Sequence, residues 1–462
     1  MNTNKEFPEK SLFKAYDIRG IVDKTLDDAS VIKIGKSIGS EALFQNQKNI
    51  CVGYDGRLSS PKIFDLLSKG LLSTGINVIN IGLVTTPMLY FSTFQLKTKS
   101  GIMITGSHNP PEYNGFKIVI NDKTLSTKDI QILYQRIINE EYSNGKGKIS
   151  NKNIKPSYLE KIYSDIKLAR PIKITIDCGN GATSICAEEI YKGLGAKVET
   201  LFCSINGNFP NHHPDPSNLE NFEALRENLS NGKSELGLAF DGDGDRLGVM
   251  SKNGEIIFPD RQLLLFAEDV LKNNQGASII FDVKSTRHLF SWIKERGGIP
   301  IIWKTGHSLI KAKIKESKAI LAGEMSGHMF FNDRWYGFDD GVYAGARLIE
   351  ILSHYDNPSE ILEALPKSFS TPELNIQLIE GEQHKIIKIL QNKAKFYNAK
   401  EIIKIDGLRV EYDFGFGLMR GSNTTPCIVL RFEANSNENL KLIQDEFKEI
   451  LKPYILQEKI PF

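Results

Sequence analysis

The sequence predicts an α/β protein of several units, each with a mostly parallel sheet. Three observations predict it. Short apolar runs alternate with stretches of helical spacing, the strand–helix–strand signature. The alternation restarts after polar breaks. The chain has 462 residues, several times the ~100–200 of a typical domain. Composition is that of a globular protein, 40% hydrophobic and 25% charged. A net charge of +2 gives no bulk electrostatic case for nucleic acid or an anionic membrane. No apolar run approaches the ~20 residues that span a bilayer. The N-terminal MNTNKEFPEKS is polar and lacks a signal-peptide core, so a cytoplasmic protein is expected. Cys51, Cys178, Cys186, Cys203 and Cys427 are odd in number, widely spaced and free of any CxxC pair. That argues against structural zinc and a disulfide framework and for buried thiols.

Taken in order, residues 12–20, LFKAYDIRG, crowd Tyr16, Asp17 and Arg19 ahead of Gly20. Residues 30–44 have helical spacing. A strand at 49–54 runs into Asp55-Gly56-Arg57. Ser60-Pro61 starts a helix that runs through Leu72, with proline near its first position. A strand at 76–81 follows, and Thr85-Thr86-Pro87 caps the next helix. In GIMITGSHNPPEYNGFK, residues 101–117, an apolar strand breaks into Thr105-Gly106-Ser107-His108-Asn109. Pro110-Pro111 forbids a helix there, and a second strand covers 116–120. One serine therefore sits exposed at the tip of a turn, with His108 beside it and Lys117 downstream. Such a hydroxyl can act as a nucleophile or carry a phosphoryl group, although a plain turn favours the same residues.

Polar residues from 141 to 155 read as a linker, with a boundary near 152. A helix is expected at 158–167, then a strand at 172–177 leading into Cys178-Gly179-Asn180-Gly181-Ala182 and a further helix. The stretch LGLAFDGDGDRLGVM, residues 236–250, runs from strand to strand through Asp241, Asp243 and Asp245. Three carboxylates at alternate positions with glycines between can converge on a hard cation; the alternative is a solvated acidic turn. An EF-hand would need Gly at the sixth position and Glu at the twelfth, where Arg246 and Lys252 stand. Mg²⁺, with room for a phosphate oxygen, fits better than Ca²⁺.

A third unit starts near 256. It has a helix at 261–272 and strands at 278–283 and 301–303, ending in Lys284-Ser285-Thr286 and Lys304-Thr305-Gly306-His307. A helix at 308–316 and a strand at 319–322 lead to Gly323-Glu324-Met325-Ser326-Gly327-His328 and a strand at 329–331. Glu324, Ser326 and His328 offer an acceptor, a donor/acceptor and a titratable ring for sugar hydroxyls. The three loops share one design, which hints at a threefold repeat whose loops meet in one cleft. The last unit, from 368, carries an apolar stretch at 402–410 and then Arg420-Gly421-Ser422-Asn423-Thr424-Thr425-Pro426 before a strand at 428–432. An arginine fork with hydroxyls and an amide suits a phosphate. There is no GxxxxGK[ST] and no GxGxxG opening a helix, so the phosphate is not expected to belong to ATP or a dinucleotide.

TGSHNP, DGDGDR, GEMSGH and RGSNTTP, in that order, resemble the four motif loops of the α-D-phosphohexomutase family, most closely its bacterial phosphomannomutase/phosphoglucomutase branch. The likeness covers nearly the whole chain. It implies four domains around a central cleft: three related mixed α/β units at 1–152, 153–255 and 256–367, and a smaller C-terminal α+β domain at 368–462. It implies a phosphorylated Ser107, and Mg²⁺ held by Asp241, Asp243, Asp245 and a phosphoserine oxygen. Glu324 and Ser326 would contact sugar O3 and O4. Arg420, Ser422, Asn423 and Thr424 would hold the non-reacting phosphate, with Tyr16, Arg19, Lys117, Arg246, Lys284, His307 and His328 lining the cleft. The implied reaction interconverts hexose 1- and 6-phosphates through a hexose 1,6-bisphosphate, with glucose 1,6-bisphosphate as activator and His328, His307 or His108 as base. A phosphosugar is the expected partner and a monomer or weak dimer the expected state. Phosphoglucosamine mutase is the nearest alternative; that branch typically has Gln where Met325 stands. A metal-dependent serine phosphohydrolase and a calcium-binding module are more remote.

Overall fold

A computed structural model describes residues 7–462; the first six residues of the polar N-terminal stretch lie outside them. Four sheets follow one another along the chain. In the first, Asn49–Tyr54, Asn77–Leu83 and Gly101–Ile104 run parallel, and Tyr113–Ile120 adds antiparallel to the third. In the second, Lys173–Asp177, Lys197–Leu201 and Leu236–Phe240 are parallel and Leu247–Ser251 antiparallel. In the third, Ser278–Asp282, Ile299–Trp303 and Leu321–Gly323 are parallel and Met329–Phe331 antiparallel. Each unit has the same spatial order, fourth–third–first–second. The repeat hinted at by loop design is thus a repeat of topology.

The sheets are mixed rather than mostly parallel, and the loops explain why. Residues 105–112, 241–246 and 324–328 are too short for the crossover of about a dozen residues that a parallel neighbour needs. Each third strand must therefore return as a hairpin, and each hairpin turn is one of the polar loops. All three lie at the C-terminal ends of the parallel strands, where open α/β sheets place their ligands.

Two segments depart from the sequence expectation. The polar stretch 141–155 is not wholly a linker. Ile149–Asn151 pairs parallel with Asn77–Leu83 as an edge strand, and the Gly145 and Gly147 N–H groups donate to Ser73 O and Leu72 O at 3.0 and 2.8 Å. All three strand residues are exposed, so no apolar alternation marks it. The run 402–410 is two strands, Glu401–Ile403 and Leu408–Tyr412, hairpinned through Gly407 at φ +81°. They belong to an antiparallel sheet with Gly415–Gly421 and Cys427–Ala434 at its centre, covered by helices Glu382–Lys393 and Asn437–Leu451.

One apolar core joins the second and third units and reaches helix Thr86–Gln95 of the first. The fourth unit has an apolar core of its own; the small cluster of Val283, Phe416 and Leu418 and the buried Arg409, which donates to Val283 O and Ser285 O at 2.7 and 2.6 Å, join it to the third. The five cysteines are free, all buried except half-buried Cys203. Among the described residues no helix is long and apolar enough to cross a membrane.

Candidate active site

Ser107 turns the first hairpin with φ +50°, a left-handed conformation that costs a non-glycine residue energy. Its surroundings over-determine it. Asp55 accepts from Thr105 Oγ1 at 2.8 Å and Gly106 N at 3.2 Å, and Thr105 Oγ1 accepts from Ser107 N at 2.7 Å. The buried Arg57 guanidinium donates to the carbonyls of Ser107, Asn109, Pro110 and Tyr113 at 2.8, 2.6, 2.5 and 3.0 Å. Gly106 is required by that clasp, since a Cβ there would stand 2.3 Å from Arg57 Cζ. The sequence reading places Ser107 exposed at the tip of the turn; in the structure only 2% of it is accessible. The second unit's loop closes on the turn: Ser107 Oγ donates to Asp241 Oδ2 at 3.0 Å and lies 3.2 Å from His108 Nδ1.

Asp241, Asp243 and Asp245 are fully buried, and one oxygen of each lies within 4.8 Å of the others. Gly244 N and Arg246 N donate to Asp241 Oδ1 at 3.0 and 3.2 Å. Lys117 Nζ donates to Asp243 Oδ2 at 2.7 Å and also to Asp245 Oδ2. Thr86 Oγ1 donates to Asp243 Oδ2 at 2.5 Å. Burial and the charges of Asp243 and Asp245 push the Asp241 carboxyl well above its usual range. Burial works the same way on Asp243, but Lys117 outweighs it and holds that carboxyl low. Asp243 Oδ1 and Asp245 Oδ1 accept no hydrogen bond from the protein. Three convergent carboxylates with two unspent oxygens fit a hard divalent cation.

The third loop brings Glu324 and His328 alongside. Glu324 is buried; burial raises its carboxyl to about 7, and its Oε1 accepts from Gly306 N at 2.6 Å. Ser326 is half-buried on the same turn. His328 Nε2 accepts from Arg246 Nε at 3.1 Å, and the His328 and His307 rings face each other with centroids 5.5 Å apart. Burial, then the charge of Lys311, pushes His307 below its ordinary value; burial and the Arg246 charge do the same to His108. Tyr16 spans three units. Its Oη donates to Thr305 O at 2.9 Å and takes a hydrogen bond from Asn423 Nδ2. Arg19 pairs with Asp17 at 2.6 Å and donates to Asn109 Oδ1 at 2.5 Å. In the fourth loop, Arg420 Nε donates to Asp406 Oδ2 at 2.9 Å, and Ser422 Oγ lies 2.9 Å from Thr425 Oγ1 and 3.4 Å from Thr424 Oγ1. Lys284 Nζ is paired with Glu373 at 2.5 Å.

Four family models match in series: Phosphoglucomutase/phosphomannomutase alpha/beta/alpha domains I, II and III at residues 10–144, 156–254 and 258–369, and the C-terminal domain at 373–450. The chain belongs to the phosphoglucomutase/phosphomannomutase family. It is 55% identical to a Neisseria gonorrhoeae phosphoglucomutase, over 96% of this chain and 97% of the relative. It is 49% identical to a Pseudomonas aeruginosa phosphomannomutase/phosphoglucomutase, over 98% of each. A solved structure of a Burkholderia thailandensis phosphoglucomutase/phosphomannomutase family protein shares 50% identity, with a TM-score of 0.93 over 96% of this chain and 98% of that one. The protein is accordingly an enzyme, an isomerase of the phosphohexomutase superfamily.

In this phosphohexomutase, sequence reading missed the residues that hold the loops. Arg57, Thr86 and Asp339 carry no motif of their own. One signal was available: an aspartate closes the first strand of each repeated unit, as Asp55, Asp177 and Asp282. Asp55 braces the Ser107 turn, as above. Asp177 Oδ2 lies 2.9 Å from His212 Nε2, and Asp282 accepts from Thr305 Oγ1 at 2.9 Å and Met325 N at 3.3 Å. Laying the three units over one another by strand would have shown the pattern.

Proposed function

We propose that the protein interconverts the 1- and 6-phosphates of mannose and glucose through a phosphorylated Ser107 and a hexose 1,6-bisphosphate. The observation that carries the reading is the buried contact of Ser107 Oγ with Asp241 Oδ2 at 3.0 Å, inside a cluster of three carboxylates. The relatives' names support the substrates. Asp241, Asp243 and Asp245, with an oxygen of phosphorylated Ser107, hold Mg²⁺. When bound, the ion neutralises charge on phosphoryl oxygens. The chain supplies the rest. Arg19, Lys117 and Arg246 add positive charge around Ser107. His328, His307 or His108 takes the sugar hydroxyl proton, and burial suits His307 and His108 to the neutral form a base needs. Glu324 and Ser326 grip the O3/O4 diol. Arg420, Ser422, Asn423 and Thr424, with Tyr16 and Lys284, receive the phosphate that does not react. The units at 1–152, 153–255, 256–367 and 368–462 thereby contribute the phosphoserine, metal, sugar and phosphate loops. We place the enzyme in the cytoplasm, as a monomer or weak dimer.

A coupled assay with Mg²⁺ and a trace of glucose 1,6-bisphosphate tests this. Mannose 1-phosphate and glucose 1-phosphate should both turn over to 6-phosphates without release of inorganic phosphate. Stoichiometric phosphate release would make the protein a phosphohydrolase. Faster turnover of glucosamine 6-phosphate than of mannose 6-phosphate would move it to the glucosamine branch.

A further inference from the structure

We infer that Asp339 is a positioning residue, one buried carboxylate that fixes which nitrogen of His328 faces the reacting groups. Asp339 is fully buried and lies outside the four motif loops. Its backbone bridges to Phe330, in the strand Met329–Phe331 that directly follows His328. Asp339 Oδ1 accepts from Lys311 Nζ at 2.9 Å. Asp339 Oδ2 stands 3.1 Å from His328 Nδ1 and 3.7 Å from His307 Nδ1 as charge-pair contacts, and these three buried atoms are otherwise without a hydrogen bond.

The tautomer of His328 follows from its two ends independently. At one end Nε2 faces Arg246 Nε at 3.1 Å. A guanidinium only donates, so Nε2 must be the bare, accepting nitrogen. At the other end Nδ1 faces carboxylate oxygens, Asp339 Oδ2 at 3.1 Å and Asp245 Oδ1 at 3.5 Å. Ionised carboxylates only accept, so Nδ1 must carry the proton. Both ends give the same answer: the proton sits on Nδ1 and the Nε2 lone pair points to the Arg246 side, where it can take a proton in place of the Arg246 contact. Lys311 holds the carboxylate by its other oxygen, Oδ1, at 2.9 Å. His307 borders the same Asp339 oxygen, so one carboxylate orients both rings.

The kinetic arm of the test rests on the mutase reading; the spectroscopic arm does not. Imidazole ¹⁵N spectra, with His328 assigned by difference from His328→Gln, should show wild-type His328 protonated at Nδ1. Asp339→Asn is nearly isosteric but offers an amide that can donate as well as accept. It should lose the single Nδ1–H form and lower kcat by roughly 10²–10³-fold while KM changes less than about threefold. Lys311→Met leaves the carboxylate and should keep the tautomer, with a smaller loss of kcat. A proton on Nε2 in the wild type would overturn the inference, even if Asp339→Asn failed to fold. So would an Asp339→Asn enzyme that kept the wild-type spectrum, or one whose loss lay in KM. A wrong mutase reading would show instead as an inactive wild type with the predicted spectrum.

Discussion

The Ser107 turn and the loop from Gly421 to Pro426 are built from the same small polar residues and are held in opposite ways. The Ser107 turn is buried, carries a left-handed residue, and has four of its carbonyls clasped by Arg57. The other loop has Thr424 and Thr425 exposed, with its hydroxyls hydrogen-bonded largely among themselves. It sits on a unit whose core is separate from the rest. The contrast matches the chemistry proposed. Phosphoryl transfer depends on alignment to fractions of an ångström, so its donor belongs on a rigid frame. A bisphosphate that must present either end needs a phosphate grip that can close on both poses, and a unit with an apolar core of its own can move as a body to do so.

The comparison breaks most directly at Ser107. Ser107→Ala should lower turnover by at least about a thousandfold, since it removes the phosphoryl carrier. It keeps a Cβ in the same backbone conformation and loses the two Oγ contacts, to Asp241 and His108, so stability should fall by only about 1–2 kcal/mol. Initial rates without added bisphosphate, together with a urea melt, check both halves. Wild-type turnover would end the phosphoserine reading. Arg57→Ala comes next. It strands four carbonyls and opens a cavity under the turn, and should cost about 3–5 kcal/mol of stability and a large part of kcat. Arg57→Lys should recover little, because an ammonium cannot reproduce the fork. Full activity in Arg57→Ala would mean that the turn needs no clasp.

Arg420→Ala sharpens the other side. Arg420 donates to Asp406 at 2.9 Å rather than to the Ser107 turn or to Asp241, Asp243 and Asp245. It should raise KM for the sugar phosphate about 10–100-fold, the worth of a charge-assisted fork. The rate of Ser107 phosphorylation by saturating bisphosphate should change much less. An equal loss in both would show that the two loops work as one rigid unit.

What the sequence revealed divides along the same line. The strand Asn49–Tyr54 and the helix Ser60–Leu72 were readable to the residue, because apolar runs and a proline at the helix start mark them. The four polar loops were readable because each packs its chemical groups into a few consecutive positions, and the structure brings Ser107, Lys117, the aspartates, Arg246 and His328 together. What stayed hidden acts at long sequence range. Arg57 clasps a loop some fifty positions away, and Asp339 meets His328 across a hairpin. Single polar residues at strand ends give no local signal. The edge strand Ile149–Asn151 is exposed throughout, and Ile402–Ile405 hid the break before Gly407 behind β-branched side chains.

Glu324 gives the smallest effect and a signed pH dependence. Burial raises its folded carboxyl from 4.5 to about 7. An unfolded chain releases that proton above about 4.5 while the folded protein keeps it to about 7, so stability falls as pH rises across that window and is flat outside it. Buried Asp340 adds a loss of the same sign, since burial raises it to about 7 as well. Glu324→Gln removes only the Glu324 part and keeps an oxygen for Gly306 N. The variant should match wild type in stability near pH 4.5 and exceed it at pH 8 by up to about 3 kcal/mol, the worth of the shift from 4.5 to about 7. It should also lose activity, which would mark the carboxylate as kept for the sugar at a cost to the fold. Urea melts of both proteins at pH 5 and pH 8 decide it: a stability difference that did not grow with pH would mean that Glu324 is already ionised in the fold.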